Sequence, residues 1–132
     1  MIENFKIKFP KIKTHDLDQD KEYFFLIKQD GKERKILFHE YAEIYKIKGL
    51  YEQLFYECLK CSSPTKVSEA LRYSLSQVQE TFSELRVLDL RAGNGMMGEQ
   101  LRKYGVARLV GVDIIPKAKE ATNRDRPMIY DS

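Results

Sequence analysis

Tryptophan is absent from the 132 residues, and histidine and cysteine occur only twice each. The histidines, His15 and His39, have no metal-like spacing to Cys58 and Cys61 of "ECLKCSSP". A zinc centre built on that Cys-x-x-Cys would therefore lack two ligands, and no metal site is expected. A redox pair would be expected near the start of a helix that follows a strand. Here the motif falls at the end of an amphipathic helical pattern, where both cysteines read as small buried apolar residues. Neither sign of charge dominates, since 23 Lys and Arg against 20 Asp and Glu leave +3. So small an excess argues against a dedicated nucleic-acid binder. No apolar run approaches the length that spans a bilayer. The N-terminus "MIENFKIKFPKIK" alternates lysine with apolar residues and has no signal-peptide core. The expected protein is cytoplasmic, with no membrane partner and nucleic acid unlikely as one. What remains is 42% apolar and 33% charged, a globular composition on a chain long enough for a real core.

In the first half, "EYFFLIKQDGKERKILFHEY" reads as a β-hairpin. Phe24 to Ile27 form one strand and Ile36 to Phe38 the return. Asp30-Gly31 gives a two-residue turn in which both positions tolerate positive φ. Ahead of it Phe5, Ile7 and Phe9 alternate with Lys6 and Lys8, as on a solvated strand face. "GLYEQLFYECLKC" reads as a helix with Leu50, Leu54, Phe55, Cys58 and Leu59 on one stripe. "SSPTKVSEALRYSLSQVQETF" predicts a second helix, with Ser63 as N-cap, Pro64 at its first position and a stripe of Val67, Leu71, Leu75, Val78 and Phe82. Tyr41, Tyr45, Tyr51, Tyr56 and Tyr73 are expected in core or boundary packing.

From residue 86 the pattern changes. "RVLDL" is a short apolar strand, and Met97, Leu101 and Tyr104 mark a helix that Gly105 can end. "RLVGVDI" is a second strand, and "IPKAKEATNR" opens a second helix with Pro116 near its start. Strand, helix, strand and helix within about forty residues predict a βαβ unit with parallel, buried strands.

Gly93, Gly95 and Gly98 lie between the first of these strands and its helix. Glycine suits a sharp turn whose bare backbone lies against a ligand, and the helix N-terminus offers free N–H groups. Asp113, at the end of the next strand, can accept hydrogen bonds from ribose hydroxyls. "GNGMMG" satisfies the dinucleotide pattern G-x-G-x-x-G. Asp89, placed before the loop in "VLDLRAGNG", is not needed for a pyrophosphate but is useful beside a ligand with an ammonium group.

"VLDLRAGNG" resembles the first motif of class I S-adenosylmethionine-dependent methyltransferases, an acid followed by three alternating glycines. "LVGVDIIPKA" resembles their second motif. "HEYAEIYKIKGLYEQLF" and "ATNRDRPMIY" are also similar to an uncharacterised bacterial branch of methyltransferase-domain proteins. The resemblance implies an α/β chain, the N-terminal part of a Rossmann-like methyltransferase sheet preceded by a β-hairpin and helical cap. The cap would occupy 1–85 and the first βαβα part of the binding domain 86–132. The implied cofactor is S-adenosyl-L-methionine, touched by Asp89, Arg91, Gly93, Asn94, Gly95, Asp113 and Ile114. The implied reaction is methyl transfer to an acceptor the motifs do not specify, and no catalytic residue is named.

Two departures stand out. Arg91 takes the place of the family's first glycine, where it could pair with the ligand carboxylate or crowd the site and repel a sulfonium. The sequence also stops after the second motif, which implies a sheet short of strands, inactive alone, with an exposed edge open to self-association. A non-enzymatic, degenerate paralogue and a nicotinamide-dependent oxidoreductase remain as alternatives.

Overall fold

The computed structural model describes residues 5–11 and 21–132, so His15 lies outside the described residues. The chain is mixed α/β and divides into two compact units, Met1–Lys60 and Cys61–Ser132. That division falls earlier than the boundary at 85/86 suggested by the motif. The reason is packing: Leu71 and Leu75 share a core cluster with Leu101, Val106 and Leu109 of the second unit.

In the first unit β1 (Lys6–Lys8), β2 (Tyr23–Ile27) and β3 (Glu33–Leu37) form an antiparallel sheet in the order β1-β2-β3. Side chains alternate along β2, so Phe24 and Leu26 face inward with Ile36 of β3. Ile44 of α1 (Tyr41–Lys46), Leu50 of α2 (Leu50–Glu52) and Leu54 complete that core. On the other face the Lys8 ammonium lies over the Phe25 ring at 5.9 Å and Lys35 over Tyr23 at 4.2 Å. Lys8 also pairs with Glu33 at 3.1 Å. The lysine stems thus cover the aromatic rings of their own sheet and keep their charges in water.

Two expectations for this unit need correcting. The hairpin turn is not a two-residue one. Lys28 N–H donates to Lys32 O and Gly31 N–H to Lys28 O, both at 2.9 Å, which encloses Gln29, Asp30 and Gly31. Only Gly31 takes positive φ (83°); Asp30 instead accepts the Lys32 N–H on its side chain at 3.0 Å. The expected stripe ending in Cys58 and Leu59 also fails, because both are exposed. After Glu52 the helix widens into a π-turn over Gln53–Cys58, with Leu59 N–H donating to Leu54 O at 3.0 Å. More residues per turn rotate the stripe off the core after Leu54. Of the tyrosines, Tyr45 is buried here as expected, whereas Tyr73 of the second unit is exposed.

In the second unit α3 (Ser63–Gln77) has Pro64 in its first turn, with Ser62 rather than Ser63 as N-cap. It ends before the expected stripe does. Gln79 takes φ 57° and Glu80 N–H returns to Leu75 O at 3.1 Å, a Schellman closure in which a non-glycine residue takes the left-handed position. Val78 consequently lies exposed, as does Val67 near the other end of α3, and Phe82 is buried from a separate 3₁₀ turn, stacked on Tyr104 at 5.0 Å. β4 (Arg86–Leu90) leads to α4 (Met96–Lys103), then β5 (Arg108–Val112) and α5 (Pro116–Asp125). Gly105, at φ 101°, closes α4 as expected, with Val106 N–H donating to Leu101 O at 3.1 Å.

β4 and β5 pair in parallel, Val87 opposite Leu109 and Asp89 opposite Gly111. One face carries Val87 and Leu109 into the core with Leu101 and Met97 of α4. The other is open: Leu88, Leu90 and Val112 are 56%, 67% and 46% exposed. Strands expected to be buried are thus buried on one side only. Among the described residues no helix is long and apolar enough to cross a membrane.

Candidate functional site

The site lies where β4 and β5 end. The chain leaves β4 through Arg91 (φ 59°), then Gly93 (φ 59°) and Gly95 (φ 90°), before α4 starts at Met96. Ala92 N–H donates to Val112 O at 3.0 Å, tying the loop to the end of β5. Asp113 completes the tie from the other strand: Oδ2 accepts Gly93 N–H and Oδ1 accepts Ile115 N–H, each at 2.9 Å. Thr122 of α5 donates its hydroxyl to Gly93 O at 2.9 Å. Asp113 after β5 and Thr122 of α5 therefore fix one glycine from both sides.

A cleft of about 400 Å³ opens beside this loop. Ala92, Gly93 and Asp113 form one side; Lys119, Thr122 and Asn123 of α5 contribute another; Met128 and Tyr130 close it. Of the residues expected at a cofactor, Gly93 and Asp113 line the cleft and bond to each other. Asn94 and Gly95 are buried below it. A Cβ on Gly95 would stand 3.3 Å from Thr122, Arg126 and Ile129, so that glycine accommodates the chain's own α5 segment. Arg91 is exposed, and Ile114 points into solvent, 92% exposed.

Asp89 is half-buried and accepts the phenol hydrogen of Tyr130 on Oδ2 at 2.6 Å. Burial raises its carboxyl above the ordinary aspartate range; the Tyr130 hydrogen bond opposes this, and the Asp113 charge adds to it. The Tyr130 phenol is pushed far above its ordinary range, first by burial and then by Asp89. Two carboxylates thus stand at the ends of adjacent parallel strands.

Arg126 anchors the far side. It donates to Glu99 at 2.7 Å, to Asn94 O at 3.2 Å and to the Met96 sulfur. Sequence reasoning did not single out Tyr130, Thr122 or Arg126. The available signal was Gly98 and Gly111: a Cβ at either would come within 2.8 Å of the Tyr130 ring. Gly98, the third glycine of G-x-G-x-x-G, makes room for an aromatic ring rather than for strand against helix. Among the described residues no three His, Cys, Asp or Glu side chains converge as a metal site.

Comparison with protein-family models, curated proteins and solved structures gave no match.

Proposed function

We propose that residues 86–132 form the first portion of a Rossmann-like, class I methyltransferase-type domain and bind S-adenosyl-L-methionine. The observation that carries this reading is the pair Asp89 and Asp113 at the carboxyl ends of neighbouring parallel strands, beside a glycine loop. Ligands of open α/β sheets lie outside these strand ends. Two carboxylates there favour a ligand with positive centres and disfavour a pyrophosphate, so the dinucleotide reading is the weaker one.

The residues present suit such a group. Asp113 uses one acceptor site on each oxygen for Gly93 and Ile115, leaving further lone pairs for ribose hydroxyls. Gly93 offers bare backbone along the cleft. Asp89 supplies the carboxylate for an ammonium group. When bound, the cofactor supplies an activated methyl group, and the protein's task is to hold it in line with an acceptor.

The reading is tested by calorimetric titration of the chain with S-adenosylhomocysteine and, separately, with NAD. Saturable binding of the first, weakened at least about tenfold by Asp113→Asn, is expected. Binding of NAD alone would transfer the site to the oxidoreductase class. Binding of neither would leave a non-enzymatic module, the reading to which Arg91 lends weight.

A further inference from the structure

This inference rests on the cofactor reading above and concerns how that site is controlled. After α5 the chain turns back at Met128, which takes φ 65°, a left-handed conformation unusual for its side chain. It then runs beside β5. Asp131 N–H donates to Leu109 O at 2.7 Å, the Asp131 carboxylate accepts Leu109 N–H at 2.8 Å, and Arg102 pairs with the same carboxylate at 3.0 Å. Gly111 N–H reaches Ser132 O at 3.3 Å. This strap carries the Tyr130 ring into the gap bounded by Gly98 on α4 and Gly111 on β5. The ring fills that gap, and its hydroxyl ends on Asp89 at 2.6 Å.

Tyr130 lines the cleft, whereas Asp89 is not among its lining residues. The phenol therefore stands between the open space and the half-buried carboxylate. We propose that Tyr130 is an internal gate: it occupies Asp89 while the cleft is empty, and a ligand ammonium reaches Asp89 only when the phenol swings away and the strap of residues 128–132 lifts from β5. The strap is built for release. Asp131 and Ser132 are exposed, Met128 sits at a strained turn, and the neutral phenol gives Asp89 a hydrogen bond without neutralising its charge. An ammonium group would supply both. The nucleoside end of a ligand, by contrast, has Gly93 and Asp113 to meet in the cleft and needs no contact with Asp89.

The test uses the full chain, its Tyr130→Phe variant and two probes. S-adenosylhomocysteine carries an amino-acid end; 5′-methylthioadenosine keeps the nucleoside but lacks that end. Removing the phenol hydroxyl frees Asp89 while keeping the ring, so S-adenosylhomocysteine should bind the variant about tenfold more tightly. Affinity for methylthioadenosine should be unchanged. In the parent, S-adenosylhomocysteine should also speed amide exchange at Asp131 and Gly111, and methylthioadenosine should not. Asp131→Ala loosens the strap without touching the ring and should likewise favour S-adenosylhomocysteine, which keeps the test intact if Tyr130→Phe folds poorly. If S-adenosylhomocysteine binds the parent at least as well as both variants and leaves the strap protected, the gate is wrong and Tyr130 is a fixed brace, while the cofactor reading stands. If neither probe binds any form, the cofactor reading fails and the gate with it.

Discussion

Gly93 N–H and Asp113 Oδ2 meet at 2.9 Å, which makes the acid at the end of β5 a structural clamp on the loop that leaves β4. The same carboxylate holds Ile115 N–H ahead of α5. Asp113→Ala would leave two half-buried backbone donors without their charged acceptor. Hydrogen bonds to charged groups contribute about 1.5–3 kcal/mol. A loss of at least about 1.5 kcal/mol in urea unfolding is therefore expected without any ligand present. Unchanged stability would show that water replaces the clamp. This double duty is why Asp113→Asn, which keeps one acceptor oxygen, is the better variant for a binding measurement.

Arg91 occupies a left-handed backbone position at φ 59° and is exposed. Glycine there would lose more backbone entropy on folding. The observed φ outweighs that cost. A side chain in the left-handed region costs roughly 1–2 kcal/mol, and glycine avoids it. Arg91→Gly should raise the unfolding free energy by about 1 kcal/mol. A decrease would mean that the guanidinium makes a stabilising contact. In either case the loop has kept the conformation that glycine would have favoured.

Gly98 and Tyr130 allow a cleaner test of packing. Alanine within a helix is favoured over glycine by about 1 kcal/mol. Yet a Cβ on Gly98 would stand 2.8 Å from the Tyr130 ring. Gly98→Ala should therefore destabilise the parent but stabilise a Tyr130→Ala background. Additive effects in the four-protein cycle would disprove the contact.

The elements with local signals were legible from sequence. β4, the glycine loop, α4 with Gly105 behind it, β5 and α5 all fall where periodicity and turn chemistry place them. Gly93 and Asp113 were expected at one ligand, but their hydrogen bond to each other was not. What escaped was set by distant partners or by small backbone choices. Nothing local to Tyr130 announces that its ring fills the space at Gly98 and Gly111, residues 32 and 19 positions earlier. The π-turn over Gln53–Cys58 and the left-handed Gln79 shift a stripe by about one residue, which carries Cys58 and Val78 out of the core. The open face of β4 and β5 was hidden for another reason: an apolar strand reads the same whether one face or both are covered.

Asp89 should leave a signature in the pH dependence of stability. Its folded carboxyl titrates above the ordinary range because burial penalises the charged form. The native state therefore binds more protons than the unfolded state between the ordinary aspartate value and the raised one. Stability falls as pH rises through that window and stays lower above it. Asp131 has the opposite sign: the Leu109 N–H and Arg102 hold it below the ordinary range, so its contribution is present at neutral pH and lost as pH falls. Asp89→Asn removes the first effect alone. The variant should melt above the parent at pH 7, and the difference should shrink as pH drops below about 4, where Asp89 is neutral in both states. A variant that melts lower at pH 7 would show that the charged form of Asp89 is compensated in the native state.

The last prediction concerns the open side of the parallel sheet. Leu88, Leu90 and Val112 project from one face, and among the described residues β4 pairs with β5 alone. The free edge of β4 offers backbone donors and acceptors along an apolar strand, the arrangement that templates strand addition. Parallel sheets normally have both faces covered. Burying one leucine side chain contributes about 1.5–3 kcal/mol, so covering Leu88 and Leu90, together with strand pairing along the free edge, favours self-association against its entropic cost. Sedimentation velocity over a wide range of protein concentration should show reversible growth of dimers or larger species. Lysine at both positions places like charges on the face and leaves the inward-facing Val87 and Asp89 untouched. Leu88→Lys with Leu90→Lys should therefore weaken association by well over about tenfold while keeping the circular dichroism spectrum of the parent. A parent that stays monodisperse at every concentration would rule out association through this face. Loss of the folded signal in the lysine variant would instead show that the face is covered within the monomer and that its exposure is not what solution sees.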